Sequence, residues 1–208
     1  MPRIVDVAVA GLIVAWLVAA GGCSTMPVTR SSTLPATQAL PAEAMPVSRL
    51  DGFVQPVEGI HAGGRISAAD LPAMSAAGVQ HVIDLTPDEE TPDFDEAAAV
   101  HAAGLRYDNL PIRGAGDLTL ENVLAFDHLL AGRDGTALVH CGSGNRVGAL
   151  AALRAAWLHG ADDSSALEEG RRWGLRGLED EVRERLDRER CLALAQSGDA
   201  QARCAAGG

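Results

Sequence analysis

His140-Cys141-Gly142-Ser143-Gly144-Asn145-Arg146-Val147-Gly148 is the stretch on which the reading of this chain turns. It follows a short β-prone run, Thr136–His140, and leads into an apolar stretch of helical character over about 147–159. A loop between a strand and a helix N-terminus turns several backbone N–H groups inward, and the helix dipole adds positive potential at the same point. Gly142 and Gly144 supply the backbone freedom that such a nest requires. Those donors, together with Arg146, favour the thiolate form of Cys141. The planar guanidinium of Arg146 can hold two oxygens of a tetrahedral anion. Nucleophile, oxyanion cradle (Gly142, Ser143, Gly144, Asn145) and cation clamp therefore come from one short segment. An inert buried cysteine beside a surface arginine would need neither the glycines nor the polar Ser-Gly-Asn run. His140 stands immediately before the nucleophile, where strand neighbours point to opposite faces, so it is expected to order the loop rather than to transfer protons.

Working outward, short apolar runs alternate with helical stretches. Ser67-x-x-Asp70 reads as a capping-box-like start for a helix over 68–77, with Gly78 as its stop. Residues 79–85 then read as a strand. Thr91-Pro92 opens the next helix and Gly104 closes it, 105–110 forms a second strand, and Thr119 caps a helix ending near Gly132. This alternation predicts an α/β fold with a mainly parallel sheet of about four to five strands flanked by helices. The remainder, about 163–195, is expected to be a wholly helical C-terminal portion.

The loop Arg113-Gly114-Ala115-Gly116-Asp117 lies upstream of the cysteine. Asp117 either only favours the dipole of the helix that follows or is the general acid that the family resemblance set out below implies. Arg113 either supplements Arg146 or is solvated. The acidic run Asp88-Glu89-Glu90, with Asp93, Asp95 and Glu96, follows a strand parallel to that of the cysteine. It reads as a solvated loop, or as a rim that repels dianions, since parallel strands end together. No residue pattern calls for a metal or an organic cofactor.

The net charge of −11 argues against nucleic acid as a partner, because phosphate backbones need a basic face. The chain opens on a run of 16 apolar residues, 7–22, preceded by Arg3 and ended by Ala20-Gly21-Gly22-Cys23. That is shorter than the ~20 residues of a spanning helix and suits a signal peptide. Small residues before a cysteine resemble a bacterial lipobox, which implies acylation of Cys23 and export, with the domain facing the periplasm or cell exterior. Residues 1–22 are thus read as signal, 23–50 as the acylated cysteine and a Pro/Ser/Thr-rich tether, and 51–208 as the folded domain. Cys191 and Cys204 are close enough in sequence to pair near the C-terminus. Oligomeric state has no signature in the sequence.

The segment from His140 to Gly148 resembles the signature of cysteine-dependent dual-specificity and tyrosine phosphatases. With Gly63-Gly64-Arg65-Ile66-Ser67 and Ser143-Gly144-Asn145-Arg146-Val147-Gly148-Ala149-Leu150, it looks like the phosphatase-like domain of bacterial beta-lactamase-hydrolase-like proteins, over about residues 58–180. The resemblance implies a thiophosphate intermediate on Cys141, with Arg146 binding the phosphoryl oxygens of a small phosphorylated substrate or a phosphoprotein. Two features differ from the phosphatase signature. Four residues, not five, separate Cys141 from Arg146, and Val147 stands where Ser or Thr usually follows the arginine. Rhodanese-like sulfurtransferases use a shorter loop of this kind to hold a persulfide, so a sulfur donor is the alternative substrate. A non-catalytic phosphate-binding module is the third reading.

Overall fold

A computed structural model describes residues 50–196. The signal segment, Cys23, the tether through residue 49 and Cys204 lie outside the described residues. Among the described residues no helix is long and apolar enough to cross a membrane.

The chain begins with β1 (Phe53–Val57) and β2 (Ile60–Gly63), an antiparallel pair, and continues through α1 (Leu71–Ala76), β3 (Val79–Asp84), α2 (Glu96–Ala102), β4 (Arg106–Asn109), α3 (Leu120–Ala131), β5 (Thr136–His140) and α4 (Asn145–His159). It closes with α5 (Asp163–Arg172) and α6 (Glu179–Gln196). The sheet order is β1-β2-β5-β3-β4, and β2, β5, β3 and β4 are parallel. This is the α/β architecture the alternation predicts. The β1–β2 hairpin was not read as strands, and it completes the sheet to five.

β5 is central, and its four apolar or histidine positions after Thr136 are buried. The period of two divides them. Val139 and Cys141 join the core with Phe126 of α3 and Leu150 of α4, while Leu138 joins Val82, Met74 and Val100 beneath α1 and α2. Helices thus cover both faces, as a parallel sheet demands. Phe126 and Trp173 meet edge to face at 6.2 Å, and burying each such ring contributes about 1.5–3 kcal/mol or more.

Three helix boundaries differ from the sequence reading. α1 starts at Leu71 because Asp70 is its N-cap residue; the Asp70 carboxylate accepts the Ser67 N–H and hydroxyl, both at 2.8 Å, instead of Ser67 capping the helix. α2 starts at Glu96 rather than at Pro92, since Asp95 accepts the Ala98 N–H at 3.0 Å and the preceding residues make a turn, Phe94 N–H to Thr91 carbonyl. The C-terminal portion is two helices, not one continuous run. Gly174, at φ 109°, lets the chain reverse between them, a conformation closed to residues with a Cβ.

Candidate active site

Cys141 follows the last residue of β5, at the carboxyl edge of the parallel strands, where ligand sites of open α/β sheets form. Its backbone N–H reaches the Gly63 carbonyl at the end of β2 at 3.3 Å, and the Leu85 N–H beyond β3 reaches the His140 carbonyl at 2.9 Å. Both neighbouring strands therefore clamp the residue in place. The Arg65 N–H donates to the Gly142 carbonyl at 3.4 Å, and Gly64 bridges Ser143, so the chain beyond β2 also braces the loop.

Gly144 sits at φ 84° and is the N-cap of α4, and its N–H donates to Cys141 Sγ at 3.2 Å. That is one inward-pointing donor at the thiol. Gly142 serves a different purpose from the one read in the sequence. It needs no left-handed backbone; a Cβ there would come within 3.0 Å of Arg146 Nη2, so its lack of a side chain makes room for the guanidinium. Cys141 is a free thiol and is fully buried, not standing at an open mouth.

Arg146 lies over the loop with its side chain only 12% exposed. Its Nη1 and Nη2 donate to both oxygens of Glu90 at 2.8 and 2.7 Å, and Nη1 also donates to the Ile112 carbonyl at 2.6 Å. Burial disfavours its charge, but the hydrogen bonds it donates to Glu90, with the nearby Cys141, outweigh that, holding its pKa above the ordinary arginine value. Reciprocally, Arg146 holds the Glu90 carboxyl below its usual range, against a smaller opposing effect of burial and with a further contribution from Arg65.

The acidic run is therefore neither merely solvated nor a uniform rim. Glu90 engages Arg146, Glu89 accepts from Arg113 Nε at 3.1 Å, and Asp95 caps α2. Arg113 points to Glu89, not to the cysteine, and is largely exposed. Asp117 lies in a short 3-10 turn, where its carboxylate accepts the Arg113 N–H at 2.7 Å. Its loop reaches the site through Ile112, whose carbonyl holds Arg146. The Asn145 side chain does not face the loop's ligand side. Its Oδ1 accepts the N–H groups of Arg176 and Leu178 at 2.8 and 3.3 Å, leaving its backbone N–H as the part available to an anion.

His140 faces away from Cys141, as the strand period expects. Fully buried on the opposite face from Cys141, its Nε2 lies 2.7 Å from Glu96 Oε1 and 3.5 Å from Asp84 Oδ1. Asp84 and Ile112 were not singled out in the sequence, and Glu90 and Glu96 entered only as members of the acidic run, without these partners.

Residues 55–157 match the family model described as the phosphatase-like domain of beta-lactamase hydrolase-like protein. Over that stretch the chain is similar to the phosphatase-like domain of that family. A beta-lactamase hydrolase-like protein of Agrobacterium fabrum is 33% identical to this domain over 87 residues, 40% of this chain and 20% of that protein. A relative of the same description from Xylella fastidiosa is 39% identical over 80 residues, 36% of this chain and 18% of that protein. The matched stretch is thus about a fifth of the length of those curated relatives. Among solved structures, a Neisseria meningitidis protein described as a candidate phosphatase resembles the phosphatase-like domain with a TM-score of 0.57 at 25% identity, covering 65% of this chain and 96% of that one. Tk-PTP in its active form shares the fold, with a TM-score of 0.51 at 20% identity and coverage of 66% and 97%.

Proposed function

We propose that this phosphatase-like domain hydrolyses a phosphate monoester through a covalent thiophosphate on Cys141. The observation that carries the reading is the Gly144 N–H donating to Cys141 Sγ at 3.2 Å, with the Arg146 guanidinium stacked over the same loop. A backbone donor and a planar cation beside one thiol suit phosphoryl oxygens once Glu90 yields the guanidinium. The thiolate attacks phosphorus; the S–P bond forms as the ester P–O bond breaks, and the departing oxygen takes a proton from Asp117. Water then attacks the thiophosphate, Asp117 takes back a proton, and phosphate leaves as the thiolate is restored. Glu90 shares or releases the guanidinium when the phosphoryl oxygens arrive. A groove of about 360 Å³ beside the loop, walled by Ile66, Pro92 and Phe94 with Arg65 at its rim, receives the organic part of the ester.

Sulfur transfer through a Cys141 persulfide is the second reading, favoured by the four-residue spacing between Cys141 and Arg146. One experiment separates the two. The purified, reduced chain is assayed with p-nitrophenyl phosphate and, side by side, with thiosulfate and cyanide. Hydrolysis of the ester, with intact mass showing a phosphorylated and never a persulfidated cysteine, is expected. Cys141→Ser should lower the rate about 10⁴-fold or more. Thiocyanate formation without ester hydrolysis would replace this reading with the second. Loss of neither activity in Cys141→Ser would remove Cys141 from the chemistry.

The same proposal has the domain tethered to a bacterial membrane by a lipid on Cys23 and facing the periplasm or cell exterior, with a small phosphorylated substrate or a phosphoprotein as its partner. The apolar run 7–22 ending in Ala20-Gly21-Gly22-Cys23 supports it.

A further inference from the structure

On the face of the sheet opposite Cys141, three side chains converge from three elements: Asp84 at the end of β3, Glu96 at the start of α2 and His140 at the end of β5. All three are buried, and one ligand atom from each lies within 4.8 Å of the other two. We propose that this cluster is a binding site for a divalent metal ion, of the zinc or manganese kind, which braces the Cys141 loop from behind.

Charge is the first argument. Asp84 and Glu96 are each 4% exposed at the side chain. Two carboxylates and a neutral imidazole leave two negative charges out of water, and even an imidazolium leaves one. Uncompensated buried charge is costly, and a divalent cation brings the group to neutrality.

Valence is the second. Asp84 is fully furnished: the Thr86 N–H donates to Oδ1 at 2.7 Å, and the Tyr107 hydroxyl and Asn109 amide donate to Oδ2 at 3.0 and 3.3 Å. Donors of this kind orient a metal-ligating carboxylate. Glu96 is only half furnished: its Oε1 meets His140, but its buried Oε2 has no hydrogen-bond partner among the described residues, which native interiors rarely tolerate. Glu96 and Asp84 line a cavity of about 570 Å³ with Asp88, Asp95, Tyr107 and Asn109, so an ion has an acidic approach and room for waters in its remaining positions. One imidazole with two carboxylates is a ligand set that borderline divalent ions accept.

The ion joins β3, β5 and α2 and stands apart from phosphoryl transfer, because His140 and Cys141 point to opposite faces of β5. Its role is to hold the residue before the nucleophile. It does not rest on the phosphatase reading and survives that reading's failure.

The test uses the full chain, stripped with chelator and titrated with Zn²⁺ and with Mn²⁺ by calorimetry. One equivalent of at least one of the two ions is expected to bind, and the urea midpoint is expected to rise with that ion's concentration. Glu96→Gln and Asp84→Asn should each weaken that affinity at least tenfold, while Cys141→Ser binds as the parent does. Because a buried substitution can unfold the chain, Co²⁺ is also added to the unaltered protein, where a visible ligand-field band without a thiolate charge-transfer band is expected. The proposal is overturned by any of three results: no saturable binding of either ion to the folded chain, binding that Glu96→Gln leaves unchanged, or a cobalt spectrum dominated by thiolate.

Discussion

Gly148→Ala sets two effects of known size against each other. Gly148 is the fourth residue of α4 and is fully packed, and alanine in a helix interior is ordinarily favoured over glycine by about 1 kcal/mol. Here the added methyl would lie 2.6 Å from the Gly170 carbonyl oxygen and from Leu175 Cα, and closer still to the Leu175 nitrogen. Real Cβ contacts essentially never fall below 3.0 Å, and none of these obstacles is a side chain that could rotate away. The two backbone groups also bond to each other, Leu175 N–H to Gly170 carbonyl at 2.9 Å, so relief requires opening that bond or prying α4 from α5. Overpacking typically costs about 1–3 kcal/mol, and the weakened hydrogen bond adds about 1. Sterics win, and a net loss of about 1–3 kcal/mol is expected. For a domain of this size that lowers Tm by roughly 2–12 °C. Urea unfolding should show a lower midpoint with unchanged slope. A variant as stable as the parent, or more stable, would refute the contact between α4 and the turn after α5.

Glu90→Gln removes the carboxylate that neutralises Arg146, so phosphate and vanadate should inhibit the variant several-fold more tightly while urea stability falls by about 1–2 kcal/mol; weaker inhibition would contradict the competition. Burial lowers the pKa of His61, and lowers that of His81 more than its Asp108 hydrogen bond raises it, so both fold neutral and the unfolded chain takes up their protons first. Stability should therefore be fully present above about pH 6.5 and decline as pH falls toward the depressed folded values, visible as a decreasing urea midpoint between pH 7.5 and 5.5. A flat or rising midpoint over that range would count against neutral burial. Cys23→Ala should release the chain from the membrane fraction or leave an uncleaved precursor, whereas unchanged membrane association with processing elsewhere would end the lipoprotein proposal.

β3, β4 and β5 were legible because each follows a turn glycine, and Gly78, Gly104 and Gly135 indeed sit at φ 80°, 76° and 61°. β1 was hidden: it is an edge strand, half exposed, with Pro56 in its middle, so neither alternation nor propensity marks it. Cys141 and Arg146 could be found because the nest is contiguous in sequence. Its partners could not, since Glu90 reaches Arg146 across 56 positions and Glu96 reaches His140 across 44. A carboxylate in an acidic surface-like run gives no local sign that the fold will bury it. Asn145 was placed at the anion by its neighbours in the motif, but a side chain at a helix start can turn outward, and this one reaches the chain before α6.

That last contact bears on where the folding unit ends. The family match stops at residue 157, yet among the described residues Asn145 Oδ1 is satisfied by backbone at Arg176 and Leu178. Trp173, Leu175, Val182 and Leu186 are buried in the same core as Cys141. A fragment cut at the edge of sequence similarity would strip that core of its largest side chain and leave the residue beside the anion loop with an unmet acceptor. Dissection by homology alone is expected to yield an unstable piece, and a segment meant to fold alone should extend at least through Leu186 of α6.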